Sequence, residues 1–283
     1  MKKIECKEIS EKIKSKLKEL YREKKVPVLG VISVGDFAPS KIYVNRKIKE
    51  ATEVGFKTIN INLEETISLI NLKLNIIDAA EKCDGLILQL PLPYHLQEHE
   101  DELLNLIPVE KDIDGLHKDN LYNLTLGLKK ENILPATVQG ILTILNYIGE
   151  GNLEGKDVVV IGRGKTVGKP LVSVLSNRNA TVTLCHSKTI NLEEKTRSAD
   201  IIISAVGIPH FLKDIGNENS ILIDVGISRD SNNKIKGDFH PSCYDKCKYY
   251  TMTPGGTGVM TVTSLLENLH KLFQRNLNET TNK

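Results

Sequence analysis

The stretch Val158-Val159-Val160-Ile161-Gly162-Arg163-Gly164-Lys165-Thr166-Val167-Gly168 decides the fold. Four β-branched residues in a row form a strand that suits burial on both faces of a parallel sheet. Gly162, Gly164 and Gly168 then follow as G-x-G-x-x-x-G, where strand gives way to helix. In that context glycine lets backbone amides approach a pyrophosphate at a helix N-terminus. A tight strand-to-helix turn with no ligand is the alternative reading of the same three residues.

Working outward, strands and helices alternate in both directions. Downstream, the patterns predict a helix at 167–176, a strand at 181–185, a short helix at 192–198, and strands at 201–206 and 221–225. Upstream, they predict an amphipathic helix at 9–24, a buried strand at 28–34, and a helix from a capping Ser40 to about Val54, stopped by Gly55. A strand at 56–63, a helix at 66–80 and a buried strand at 85–90 follow, the last ended by Pro91-Leu92-Pro93. After an acid-rich loop at 108–115 comes a helix at 137–148. A last helix is predicted at about 260–273, with a frayed tail from Asn276. This alternation makes the chain an α/β protein with mostly parallel sheets.

The 283 residues suffice for two domains, and a formal charge of +2 gives no electrostatic footprint for nucleic acid or an acidic membrane. No apolar run is long enough to span a bilayer, and the start of the chain carries acids and lacks a following apolar core, so it does not read as a secretory signal. Five cysteines, odd in number and scattered, fit a reducing compartment and a cytoplasmic location. His240, Cys243 and Cys247 lie close together but lack an obvious fourth ligand. They are read as a surface loop with two thiols, and no metal is expected.

The strand after the glycine turn indicates which dinucleotide is bound. An NAD site usually places an acid at the end of that strand, against the ribose diol. Here 181–185 runs into His186-Ser187-Lys188, without an acid. A hydroxyl and cations suit the extra phosphate of NADP, and Arg163 in the turn can add a further contact. Solvated surface charge is the alternative for Arg163 and Lys188.

A second site is marked by Tyr43 and Lys47, four residues apart and so on one helix face. An aromatic ring there can hold a planar heterocycle while the amine moves protons. Gln89 and Asp114 join them as polar groups near strand ends, where open α/β sheets bind ligands. Taken singly, a packing ring, a solvated helix lysine, a turn cap and a loop brace are the alternative readings of Tyr43, Lys47, Gln89 and Asp114.

Several motifs occur in order along nearly the whole chain: Ser40-x-x-Tyr43-x-x-x-Lys47, 85–93, Lys111-Asp112-Ile113-Asp114-Gly115, the glycine turn through Pro170, 185–189, Asp224-Val225-Gly226-Ile227, and Pro254-Gly255-Gly256-x-Gly258. The ensemble resembles the bifunctional methylenetetrahydrofolate dehydrogenase/methenyltetrahydrofolate cyclohydrolase family. The resemblance implies two domains with a cleft between them. Residues 1–138 plus 259–283 would form an α/β folate-binding catalytic domain, and 139–258 a Rossmann-type NADP-binding domain.

The resemblance also implies oxidation of 5,10-methylenetetrahydrofolate with NADP+, then hydrolysis to 10-formyltetrahydrofolate, in the one-carbon metabolism that serves purine biosynthesis. Lys47 would be the central catalytic residue, tuned by Gln89, with Tyr43 stacking on the folate and Asp114 holding the pterin. Leu88, Leu90, Pro254, Gly255, Gly256, Thr257 and Gly258 would complete the substrate set, the last five closing over it. Gly162, Arg163, Gly164, Thr166, Val167, Ser187 and Ile227 would bind the cofactor. Members of the family are usually homodimers paired through the cofactor domain.

The chain departs from the family pattern at Ala136 and Val138 (usually Cys and Pro), Gly164 (usually Ser), Met252 and Val259 (usually Pro), and Thr253 and Thr257 (usually Val). Loss of proline makes the late loop costlier to order. Two other functions compete: a shikimate-dehydrogenase-like NADP reductase, in which Gln89 would have no task, and a non-catalytic relative acting as a binding partner.

Overall fold

The first half of the chain builds β1 (Lys2–Lys3), α1 (Cys6–Leu20), β2 (Val28–Val34), α2 (Ala38–Glu53), β3 (Lys57–Leu63), α3 (Leu69–Lys82), β4 (Gly85–Leu88), α4 (Glu100–Leu104), α5 (Lys118–Leu126) and α6 (Ala136–Tyr147). The second half adds β5 (Asp157–Ile161), α7 (Gly168–Ser176), β6 (Thr181–Cys185), α8 (Leu192–Arg197), β7 (Ile201–Ser204), β8 (Ile221–Asp224), β9 (Ser228–Arg229), β10 (Ile235–Lys236), β11 (Tyr249–Tyr250) and α9 (Thr257–Thr281). The computed structural model describes residues 1–128 and 133–281. The chain divides into two units, one of Met1–Glu11, Asn123–Lys130 and Thr137–Thr261, the other of Lys12–Tyr122, Glu131–Ala136 and Val262–Lys283.

The Lys12–Tyr122 unit is built on a parallel sheet in the order β3-β2-β4. Strand side chains alternate between faces. Leu29 and Val31 of β2 therefore meet Val44 and Ala51 of α2 and Leu265, Leu269 and Phe273 of α9 in one core. Ile32 and Val34 point the other way, into a second core with Leu72 and Ile76 of α3. A sheet covered on both faces explains why β2 reads as an unbroken apolar run.

The other unit carries a six-stranded sheet in the order β1-β11-β8-β7-β5-β6, parallel throughout, with β9 and β10 as a separate antiparallel pair. After β5 the chain moves outward to β6, then crosses back to β7 on the other side. The carboxyl end of β5 is therefore a topological switch point, the usual ligand position in such sheets. Gly162 follows it directly.

Several expectations need correction. Ser40 does not cap α2; the cap position is Phe37, without a side-chain cap bond. The helix begins at Ala38 and takes a proline into its first turn, where a missing N–H is harmless. Strand β4 ends at Leu88 rather than residue 90. The amide of Gln89 still donates to the Ile32 carbonyl at 2.8 Å, but Pro91, which lacks an N–H, follows soon after.

The C-terminal segment is helical to Thr281 instead of fraying from Asn276, because Leu277 continues the apolar stripe of α9 against the core. Cys243 and Cys247 are not on a surface loop. Both are buried, donating to the carbonyls of Leu212 and Tyr244 at 3.3 Å. The patterns also do not announce β1, whose Lys2 and Lys3 pair with Tyr249 and Tyr250.

Candidate active site

Tyr43 and Lys47 share one face of α2. Tyr43 is half-buried, whereas Lys47 is only 8% exposed. The Lys47 amine donates to Oε1 of Gln89 at 3.0 Å, and Nε2 of Gln89 donates to the Leu90 carbonyl at 2.5 Å. The second bond fixes which end of the amide faces the lysine. Burial pulls the Lys47 amine below the usual lysine range, and the nearby Asp114 carboxylate opposes that pull. Burial likewise pushes Asp114 above the usual carboxylate range; Lys47 opposes this, and Asp112 reinforces it. The two groups are an ionisable pair in a drying environment, each moved toward its neutral form.

Asp114 is held by a frame that the sequence reading does not single out. Asp112, nearly fully buried, accepts from the amides of Gly115 at 3.0 Å and His117 at 2.8 Å and from Nδ2 of Asn120 at 2.8 Å. Asn268 of α9 donates through Nδ2 to the carbonyls of Ile113 at 2.9 Å and Leu134 at 3.1 Å. The Ala136 amide closes the frame on the Asp114 carbonyl at 3.2 Å. Two acids two residues apart, Asp112 and Asp114, are the available signal for a self-bracing loop. Nothing local marked Asn268, because its partners lie more than a hundred residues away in sequence.

Of the other proposed folate residues, Leu88 is buried in the core and Leu90 packs beside it. Leu90 remains half-buried just past the end of β4. In the other unit, the late loop runs into α9 at Thr257, so Thr257 and Gly258 form the first turn of that helix. Thr257 is buried and its hydroxyl donates to the Asp224 carbonyl at 2.7 Å. The Val259 amide donates to the Gly256 carbonyl at 2.9 Å. Proline at that position could not make this bond, which offsets part of the lost rigidity.

At the switch point, Gly162 has φ of 112° and leads into the turn. A Cβ on Gly168 would lie 2.0 Å from the Gly162 carbonyl oxygen, so the helix start can cross the strand end only as glycine. Gly164 differs: a Cβ there would meet nothing within 4 Å. It borders open space, as a phosphate-facing position should. Val167 is the residue before α7, and Thr166 beside it is half-buried.

Arg163, Ser187 and Lys188 are all exposed. The Ser187-Lys188 turn is preset, since the His186 amide donates to the Thr189 hydroxyl at 2.8 Å and the Thr189 amide returns to the His186 carbonyl at 2.8 Å. Ile227 is exposed after β8, with its Cδ1 3.5 Å from where a Gly258 Cβ would sit. An open glycine turn, two cations and a hydroxyl without a strand-end acid fit a dinucleotide carrying an extra phosphate.

Comparison with known proteins agrees with this geometry. Residues 4–114 match the family model of the tetrahydrofolate dehydrogenase/cyclohydrolase catalytic domain, and residues 135–277 that of the corresponding NAD(P)-binding domain. The bifunctional protein FolD of Campylobacter hominis is 41% identical over 283 residues, covering 97% of this chain and 98% of its own. The crystal structure of the bifunctional FolD methylenetetrahydrofolate dehydrogenase/cyclohydrolase of Campylobacter jejuni superposes with a TM-score of 0.90 at 39% identity, covering 97% of this chain and 99% of its own. That of the Trypanosoma brucei enzyme, complexed with NADP cofactor and inhibitor, gives 0.86 at 31% identity, covering 96% and 95%. A shikimate-dehydrogenase-like assignment is thereby set aside. The chain belongs to the tetrahydrofolate dehydrogenase/cyclohydrolase family.

Proposed function

We propose that this chain oxidises 5,10-methylenetetrahydrofolate to 5,10-methenyltetrahydrofolate with NADP+ and hydrolyses the product to 10-formyltetrahydrofolate. The observation that carries the reading is the buried Lys47 amine held by the neutral Gln89 amide beside Asp114. Bound NADP+ supplies the hydride acceptor. Tyr43 offers a ring face on which the pterin stacks, and Asp114 accepts from the pterin's N–H groups. Together they orient the reacting carbon, which is the main requirement of hydride transfer.

Hydrolysis adds water to the amidinium-like methenyl carbon and needs proton transfer. Lys47 fills that role because its depressed pKa lets an amine exchange protons closer to neutral pH. Gln89 orients the amine without adding a negative charge, which would hold the proton on it. Arg163, Ser187 and Lys188 are assigned to the 2′-phosphate of NADP, and Gly162, Gly164, Thr166, Val167 and Ile227 to the rest of the dinucleotide. Residues 254–258 remain assigned to the substrate set.

On this reading, the unit built on β3-β2-β4 handles folate and the unit built on the six-stranded sheet handles NADP. We further propose a cytoplasmic homodimer whose product serves purine biosynthesis. No helix among the described residues is long and apolar enough to cross a membrane. Strand β6 is the outer strand of its sheet, with one row of backbone groups available for a second copy, which supports pairing through the cofactor unit. The test of function is NADPH formation by the purified chain with methylenetetrahydrofolate. Production of NADPH, followed by decay of the methenyl absorbance, is expected; neither signal above the buffer reaction would refute the proposal.

A further inference from the structure

In the NADP-binding unit, one buried carboxylate outside the assigned site collects an unusual set of donors. Asp238 is fully buried. Its Oδ2 accepts from the Ser204 hydroxyl at 2.6 Å and the Val206 amide at 2.9 Å, and its Oδ1 accepts from the amides of Gly207 and Ile208 at 2.9 Å. Three consecutive amides converging on one point, with Gly207 at φ of 79°, form the kind of concavity that binds anions in phosphate-binding loops. Here the chain's own carboxylate fills it.

The surrounding sequence makes room for this acid. A Cβ on Gly226 would lie 2.1 Å from Asp238 Oδ1, and one on Gly237 would lie 1.8 Å from Oδ2 of the neighbouring Asp224. Asp224 in turn accepts from the Asp238 amide at 3.0 Å. The loop so fixed leaves the carboxyl end of β7, next to β5 in the sheet. It borders the glycine turn, because a Gly162 Cβ would lie 2.6 Å from the Ala205 carbonyl oxygen and 3.5 Å from Val206 Cγ2. With its amides turned inward, the loop presents side chains outward: Val206 is 40% exposed and Ile208 50%.

We propose that Asp238 is a positioning residue for the dinucleotide: by occupying the amide concavity of 206–208 it keeps that loop from phosphate and turns Val206 and Ile208 into an apolar wall for the cofactor's uncharged part. This rests on the NADP assignment above. It explains why a loop of phosphate-binding shape sits beside the true phosphate turn without competing for the same group. It also separates the labour in this unit. The glycine turn and its cations take charge, and the β7 loop takes a ring or ribose face.

The test uses the full chain and calorimetric titration with NADP+, alongside amide hydrogen exchange at 206–208. Asp238→Asn keeps the shape but offers an NH2 where the loop offers only donors. It is expected to weaken NADP+ binding about tenfold, the scale of one charge-assisted hydrogen bond, and to speed exchange at the three amides. Cyclohydrolase turnover, which does not use NADP+, is the control that a general loss of structure would also lower. The double variant Val206→Ser with Ile208→Ser alters exposed side chains only and is expected to weaken NADP+ binding without speeding exchange. It decides the matter if Asp238→Asn does not fold. Unchanged NADP+ affinity in folded Asp238→Asn, or in the double variant, overturns the inference. Failure of the unaltered chain to bind NADP+ overturns the cofactor assignment itself.

Discussion

The Lys47 amine donates to Oε1 of Gln89 at 3.0 Å, and that oxygen belongs to an amide rather than a carboxylate. The choice sets the chemistry. A carboxylate would hold the proton on the amine, whereas an amide aims it while leaving burial free to lower its pKa. Gln89→Glu should therefore raise the pKa of Lys47. The rising limb of the cyclohydrolase pH profile should move to higher pH by about one unit or more, the shift typical of a close opposite charge. The dependence of kcat on pH measures this; a limb that stays in place would detach Lys47 from the proton transfer.

Arg163 lies exposed in the glycine turn, free of the packing that fixes Gly162 and Gly168. Its guanidinium suits the extra phosphate of NADP. Arg163→Ala should raise KM for NADP+ by about tenfold, with a smaller change for NAD+. Parallel loss for both cofactors would show that the arginine does not read the phosphate.

Asp224 gives the fold a pH dependence of its own. Burial, with the charge of Asp238 added, pushes its carboxyl up to about 7. Between about pH 4 and about pH 7 the folded chain keeps a proton that the unfolded chain has released. Stability therefore falls as pH rises through this window and levels off above it, by up to about 4 kcal/mol at 1.36 kcal/mol per unit. Asp224→Asn should flatten the decline, so that urea denaturation finds it more stable relative to the parent at pH 8 than at pH 5. An equal offset at both pH values would mean that this carboxyl does not titrate in the window.

Asn268 ties α9 to the Asp114 loop through two backbone carbonyls. Asn268→Ala strands both acceptors and should cost about 2–3 kcal/mol of stability. Urea denaturation reads the loss. A change below about 0.5 kcal/mol, the scale of a neutral surface substitution, would show that the clamp is dispensable.

The fold was legible where hydrophobic period and turn chemistry agree. The strand at 28–34 and the strand at 181–185 lie where the patterns put them. The glycine turn follows β5 as read, and the structure separates its three glycines by task, with Gly162 and Gly168 needed for backbone crossing and Gly164 facing open space. What escaped depends on distant partners. Lys2 and Lys3 form a strand only because Tyr249 and Tyr250 present an edge. The two thiols at 243 and 247 looked solvated among charged neighbours, yet their short 3-10 turn drives them into the core. At the site, Tyr43, Lys47, Gln89 and Asp114 could be named from spacing and strand ends. Asp112 and Asn268, which hold Asp114 in place, could not, since hydrogen bonds to backbone leave no periodic trace.

Whether Lys47 moves the proton in ring opening is decided by one pair of measurements. Methenyltetrahydrofolate hydrolysis is followed with the parent chain and with Lys47→Met, each checked for an unchanged thermal melt. Methionine suits the site, because it removes a buried charge and keeps the length. The parent should accelerate hydrolysis, and the variant should lose about a hundredfold or more, the contribution of a positioned acid–base group. A folded Lys47→Met chain that hydrolyses the substrate at close to the parent rate would contradict it.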